Sequence, residues 1–174
     1  MNTKRLVTVA VLIALYTVLS LFSASLGLIK LTFESFPVLV AGLMFGWVDG
    51  LLVGAVGGFL NQMLTYGFTV TTLMWIFPNA LRGLLVGLYA RKYNYELSMK
   101  RTAGIVLATS LLVTALNTVA LYVDSQIFHY PISLTVGAIA LRFLSSVVMA
   151  AIYTLVTPRT VELLRRAGLA GDHE

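Results

Sequence analysis

Apolar residues fill this chain in long blocks, and polar residues interrupt them in short bursts. A membrane-spanning helix needs ~20 mostly apolar residues. Runs of that order occupy residues 6–26, 72–89, 102–123 and 133–156. Between the first and second of these lie two further runs. One covers 36–47, opened by Glu34, Ser35 and Pro37, and the other covers 51–66. Asp49 and Gly50 predict a tight break between them; a single broken hairpin that dips in and returns is the alternative. Polar loops are predicted at 91–101 and 124–131. Pro158 is expected to stop the last helix, leaving 158–174 as a cytoplasmic tail with at most a short amphipathic turn or two. The pattern predicts an all-α integral membrane protein, one transmembrane domain over 1–174 built as a compact bundle of six helices.

Composition strengthens that reading. The chain is 59% hydrophobic and 11% charged, where soluble domains carry about 25% charged residues. A water-soluble fold of 174 residues could not hide so many apolar side chains. The first run follows Lys4 and Arg5, as the apolar part of a signal peptide would. It exceeds the ~7–15 residues of such a region and more apolar runs follow at once, so it is read as the first spanning helix. The chain has no cysteine, which excludes disulfides, thiolate metal sites and cysteine nucleophiles. Only two histidines occur, so no histidine-rich metal site is expected, and His129 reads as a solvated loop residue.

The formal net charge is +5, but placement matters more than the sum. With both termini inside, the cytoplasmic side holds Lys4, Arg5, Arg91, Lys92, Lys100, Arg101, Arg159, Arg165 and Arg166, and the outer side holds only Lys30. Nine against one predicts that both termini are cytoplasmic. The same rule accounts for the basic clusters, so no nucleic-acid partner is expected. Small residues have a period of their own. Gly42, Gly46, Gly50, Gly54 and Gly58 recur every four positions, with Gly57 beside the last. Such spacing lets helix backbones approach closely in lipid, and packing inside the bundle is the expected use. Ala10 and Ala14 form a second such pair, suited either to internal packing or to docking another membrane protein.

Arg82 and Arg142 fall within spanning runs. A charge at the centre of a spanning helix costs ~2.5–3.5 kcal/mol on insertion scales, so each should face the bundle and meet a partner or a wet cavity. Helical spacing places Thr72, Trp75, Asn79 and Arg82 on one face. Ser110, Thr114, Asn117 and Asp124 form a stripe on the fifth helix, and Thr135, Ser145 and Ser146 lie near Arg142 on the sixth. Asn61, Gln62 and Tyr66 end the third. These groups are expected to converge on a pocket open to the outer side, walled by the third to sixth helices. Asp124 is expected near the outer surface, too far from Arg82 to neutralise it. Two arginines with no carboxylate at their depth call for a bound anion. The candidate substrate-binding set is therefore Asn61, Gln62, Tyr66, Trp75, Asn79, Arg82, Asn117, Asp124 and Arg142. No catalytic motif is present, and Asp49 reads as a helix cap, so no enzyme is expected.

Three stretches carry a family likeness beyond this. Ala10-Val-Leu-Ile-Ala14 on the first helix, the segment 36–46 (FPVLVAGLMFG) followed by Gly50, Gly54 and Gly58, and GFTVTTL at 67–73 resemble the substrate-binding S components of energy-coupling factor (ECF) vitamin transporters, most closely their folate-like branch. The chain departs from many members in carrying Asn61 and Gln62 where an acid is common. The resemblance implies a subunit of the bacterial cytoplasmic membrane that captures a water-soluble vitamin or related small anion and delivers it inward. It implies a transmembrane coupling subunit and two ATPase subunits as partners. ATP would be used there, and no cofactor or metal would be bound by this chain. Ala10 and Ala14 would be the docking motif, and the loops after the first, third and fifth helices the lid. A stand-alone, ion-coupled secondary transporter is the competing expectation; against it stand the lack of a clear internal repeat and of mid-depth carboxylates.

Overall fold

The computed structural model describes residues 3–22, 24–26, 29–96, 98–129, 131–132 and 136–169, with the backbone alone at 24–26 and 29–31. Among them are six helices: α1 (Thr3–Leu21), α2 (Ser35–Phe45), α3 (Trp47–Tyr66), α4 (Thr72–Lys92), α5 (Met99–Phe128) and α6 (Val136–Arg166). Helices α1, α4, α5 and α6 are long and apolar enough to cross a membrane. The first helix ends at Leu21 rather than Leu26. The chain then forms a small antiparallel hairpin, β1 (Ala24–Leu26) and β2 (Ile29–Leu31), in register Ala24 to Leu31.

The short α2 organises the rest. It is apolar all round, and such a helix belongs inside a bundle; ten of its eleven residues are buried. At ~1.5 Å per residue it spans about half of a ~30 Å hydrocarbon core. Its last residue lies beside the start of α1, where Arg5 Nη2 donates to the Phe45 carbonyl at 3.0 Å. Its first residues therefore sit deep in the bundle. Tyr153, midway along α6, confirms the depth by donating to the Thr32 carbonyl at 2.5 Å.

The break between α2 and α3 falls at Gly46, not at Asp49–Gly50. Gly46 has φ of +97°, a conformation that side chains resist, and a Cβ there would meet the Tyr95 hydroxyl. Asp49 instead enters the first turn of α3, where the helix dipole favours an acid. It pairs with Arg5 at 2.5 Å. From Gly46 the chain turns back, and α3 lies against α4 along a glycine seam. Added Cβ atoms at Gly50 and Gly54 would strike the backbone of Gly83 and Asn79, and one at Gly87 would strike that of Trp47. The glycine period thus serves internal packing, with backbones close enough to fix how α4 is presented.

The last two helices outrun their expected limits. Capped by the Ser98 hydroxyl, α5 continues to Phe128, so Asp124 is helical rather than part of a loop. His129 caps its end in a left-handed conformation and is exposed. Pro158 does not stop α6. Proline removes one N–H, a loss that neighbouring helices can absorb in a bundle. The helix beyond it is held by an i,i+4 pair of Arg166 with Glu162 and by Arg165 donating to the Leu43 and Tyr95 carbonyls. These contacts gather the ends of α2 and α6 and the α4–α5 connection at the end where α1 begins. That end is called the terminus end here, and the opposite one the hairpin end.

Candidate functional site

A cavity of about 370 Å³ lies inside the bundle. Eight of the nine candidate substrate-binding residues line it: Asn61, Gln62 and Tyr66 from α3, Trp75, Asn79 and Arg82 from α4, Asn117 from α5 and Arg142 from α6. Ser110 and Thr114 of α5 and Ser145 and Ser146 of α6 complete the polar wall. Two residues of the expected stripes lie elsewhere. Asp124 is about two helical turns beyond Asn117, and its carboxylate accepts a hydrogen bond from the Thr71 hydroxyl at the hairpin end. Thr72 turns back to the loop, where its hydroxyl accepts from the Thr69 N–H at 2.9 Å. Thr135 lies outside the described residues.

The expectation of no carboxylate at the depth of the arginines is overturned. Glu34 lines the cavity with Thr32 and Ser35 because the half-length α2 starts at mid-bundle. It shares that lining with Arg82, Tyr16 and Tyr153. Tyr16, Tyr153 and Met149 were not expected in the wall either. Tyr16 reaches it from α1 across Gly57, where an added Cβ would strike the Tyr16 ring. The short α2 held the signal for Glu34: an eleven-residue helix cannot cross, so the acid preceding it must sit at depth.

Neighbouring bonds fix the wall. Asn79 Nδ2 donates to Tyr16 Oη at 2.7 Å, which sets the amide and leaves Oδ1 to the cavity. Asn61 Oδ1 accepts from Ser20 Oγ at 2.9 Å and from Thr65 Oγ1 at 3.2 Å, so the donating half of that amide remains available. Arg82 is 4% exposed. Its Nε and Nη1 atoms have no hydrogen-bond partner among the described residues, and neither do Arg142 Nε, Asn79 Oδ1, Ser110 Oγ and Ser146 Oγ. A buried polar group left unpaired costs ~1–3 kcal/mol, more when charged. Six such atoms around one cavity form a site preorganised for a ligand, and most of them are donors. With Arg82 and Arg142 against Glu34, the lining carries a formal charge of +1. The set suits an anion. Among the described residues there is no cluster of acids and histidines that could hold a metal ion.

The docking candidates lie on the other side of α1. Val9, Leu12 and Tyr16 face inward, while Ala10 and Ala14 are exposed alongside Val7, Val11 and Val18.

The chain has relatives of known class. The family model for the substrate-specific component of ECF transporters matches residues 4–167. Short stretches resemble two UPF0397 proteins. One, from Lacticaseibacillus casei (strain BL23), is 36% identical over 53 residues, 30% of this chain and 27% of that protein. The other, from Leuconostoc citreum (strain KM20), is 43% identical over 60 residues, 34% of this chain and 30% of that protein. The chain thus spans under a third of the length of the curated relatives it matches. Among solved structures, the S component of a bacterial ECF transporter superposes with a TM-score of 0.67 at 21% identity, covering 97% of each chain. FolT bound with folic acid gives the same TM-score and identity over 90% of each chain. At that identity the likeness concerns the fold. With a family model spanning nearly the whole chain, this protein belongs to the substrate-specific components of ECF transporters, which are transport subunits and not enzymes.

Proposed function

We propose that the cavity captures one small, water-soluble, anionic metabolite of vitamin type, a folate-like compound being favoured, from the outer side of a bacterial cytoplasmic membrane. The observation that carries this reading is the set of donors on Arg82 and Arg142, unpartnered among the described residues, in a net-positive cavity wall. A carboxylate is the natural acceptor for a guanidinium. The volume lies at the lower end of the ~300–1,000 Å³ usual for small-molecule sites. The folate-like preference rests on the resemblance of residues 36–46 and 67–73 and on the fold shared with FolT. The lysine and arginine bias supports both termini being cytoplasmic, which turns the hairpin end outward.

Delivery then requires a coupling subunit and two ATPases. ATP is consumed there, and this chain binds no cofactor. The exposed ridge of Ala10 and Ala14 is the docking face in this reading. Replacing both alanines by leucine should block uptake by the assembled transporter and spare ligand binding by the isolated chain; lost binding would assign them to internal packing instead. For the cavity, the test is calorimetric titration of folate and a panel of anionic vitamins into wild type and Arg82→Ala. A loss of at least about tenfold in affinity, ~1.4 kcal/mol, is expected. Unchanged affinity for a compound that wild type binds would remove Arg82 from the site.

A further inference from the structure

A second concavity, of about 340 Å³, lies on the lipid-facing side of the bundle between α4 and α5. Leu85, Leu88 and Tyr89 of α4 and Ile105, Ala108 and Leu112 of α5 line it. Both sets follow the i, i+3, i+4, i+7 rule, so two apolar stripes face each other across an open slot. Each stripe runs about 10 Å along its helix. A small residue in the lining, the exposed Ala108, leaves room in the slot.

Apart from Thr109, whose hydroxyl is taken up by carbonyls of its own helix, the slot is apolar along its length, and it is cationic at its terminus end. Lys92 lines it there. Tyr89 packs on Tyr93 with ring centroids 4.9 Å apart. The Arg101 guanidinium stands 4.4 Å from the Tyr93 centroid and Lys92 Nζ 5.9 Å from it. Neither cation has a carboxylate partner among the described residues. Two cations thus flank the Tyr93 ring at the terminus end of the slot.

We propose that this slot seats one anionic phospholipid, its acyl chain between α4 and α5 and its phosphate between Lys92 and Arg101. Basic pockets between spanning helices hold anionic headgroups in this way. The charge complementarity selects the occupant: a zwitterionic lipid fills the apolar slot equally well but does not neutralise the two cations. The site is separate from the ligand cavity and does not depend on what that cavity binds.

The experiment is native mass spectrometry of the full chain in detergent, with phosphatidylglycerol and phosphatidylcholine of identical acyl chains in equal amounts. Wild type should retain one phosphatidylglycerol in preference. Changing Lys92 and Arg101 to Gln should reduce that adduct by about fivefold per charge and leave phosphatidylcholine retention unchanged. Ala108→Trp should expel both lipids, its side chain filling the slot. Arg159→Gln, which removes a charge outside the slot, should behave as wild type. Equal retention of the two lipids by wild type would overturn the proposal. So would a phosphatidylglycerol adduct that survives Ala108→Trp, or an equal loss on Arg159→Gln. Charge variants that keep the lipid but fail to assemble with the coupling subunit would assign Lys92 and Arg101 to a protein contact instead.

Discussion

Two charges are taken out of water at different depths of this bundle, and the fold treats them differently. At the terminus end Asp49 is fully buried and carries its counter-ion with it, Arg5 at 2.5 Å. Arg5 also bonds the Phe45 carbonyl and lies 5.9 Å from the Phe45 ring centroid. In the cavity Arg82 is almost as buried, and two of its nitrogens have no hydrogen-bond partner among the described residues. The first arrangement holds its counter-charge within the chain through Asp49 Oδ2, although Asp49 Oδ1 has no hydrogen-bond partner among the described residues, and it ties α1 to the α2–α3 bend. The second leaves donors facing the cavity, which the proposed ligand would meet. On the proposed function, the two differ in how fully the chain itself meets the charge: Asp49 has an ion-pair partner at contact distance, and Arg82 Nε and Nη1 have no hydrogen-bond partner among the described residues.

The sharpest way to break that comparison is to remove one partner of the closed pair. Arg5→Ala leaves a buried carboxylate unpaired, which should destabilise the protein by about 3 kcal/mol. Thermal unfolding in detergent should register it, while affinity for the cavity ligand holds. If Arg5→Ala weakens binding as much as Arg82→Ala does, the two ends are not independent. The complementary arm is the ligand-free stability of Arg82→Ala. Deleting a charge that has no complete set of partners should leave the unfolding temperature unchanged or raise it, and a fall like that of Arg5→Ala would make Arg82 structural.

The seam that presents Arg82 gives a smaller effect. Gly54→Ala forces a methyl group against the Asn79 backbone and should cost ~1–3 kcal/mol by overpacking. Because it shifts α4, it should also lower ligand affinity. Gly104→Ala, with open space around it, should do neither. The smallest effect expected is from Tyr16→Phe, which removes one hydrogen bond to Asn79. It should cost about 1 kcal/mol, read as roughly a fivefold loss of affinity with little change in fold.

Much of this was legible in the residues, for reasons that can be named. Asn61, Trp75, Asn79, Arg82, Asn117 and Arg142 stand out because a polar group in a spanning helix is costly and must face inward. The glycine period is a backbone-contact signal and led to the α3–α4 seam. Three things escaped. Glu34 and the aromatic hydroxyls of Tyr16 and Tyr153 do not interrupt an apolar pattern: Glu34 precedes one, and tyrosine reads as apolar within one. Asp124 shared the stripe of Asn117 but lay far enough along α5 to meet Thr71 instead. The helix limits at Leu21, Lys92 and Arg166 depended on tertiary contacts, the hairpin and the Arg165 anchor among them, that no local pattern encodes.

The proposed function makes a small anion the missing partner of Arg82. Mass spectrometry of the small molecules that co-purify with the detergent-solubilised chain tests it most directly, followed by calorimetric titration of the compound found. The expected result is one tightly bound, carboxylate-bearing, vitamin-like compound that is absent from preparations of Arg82→Ala. A compound retained equally by both proteins, or an empty wild type that binds no member of an anionic vitamin panel, would contradict the account.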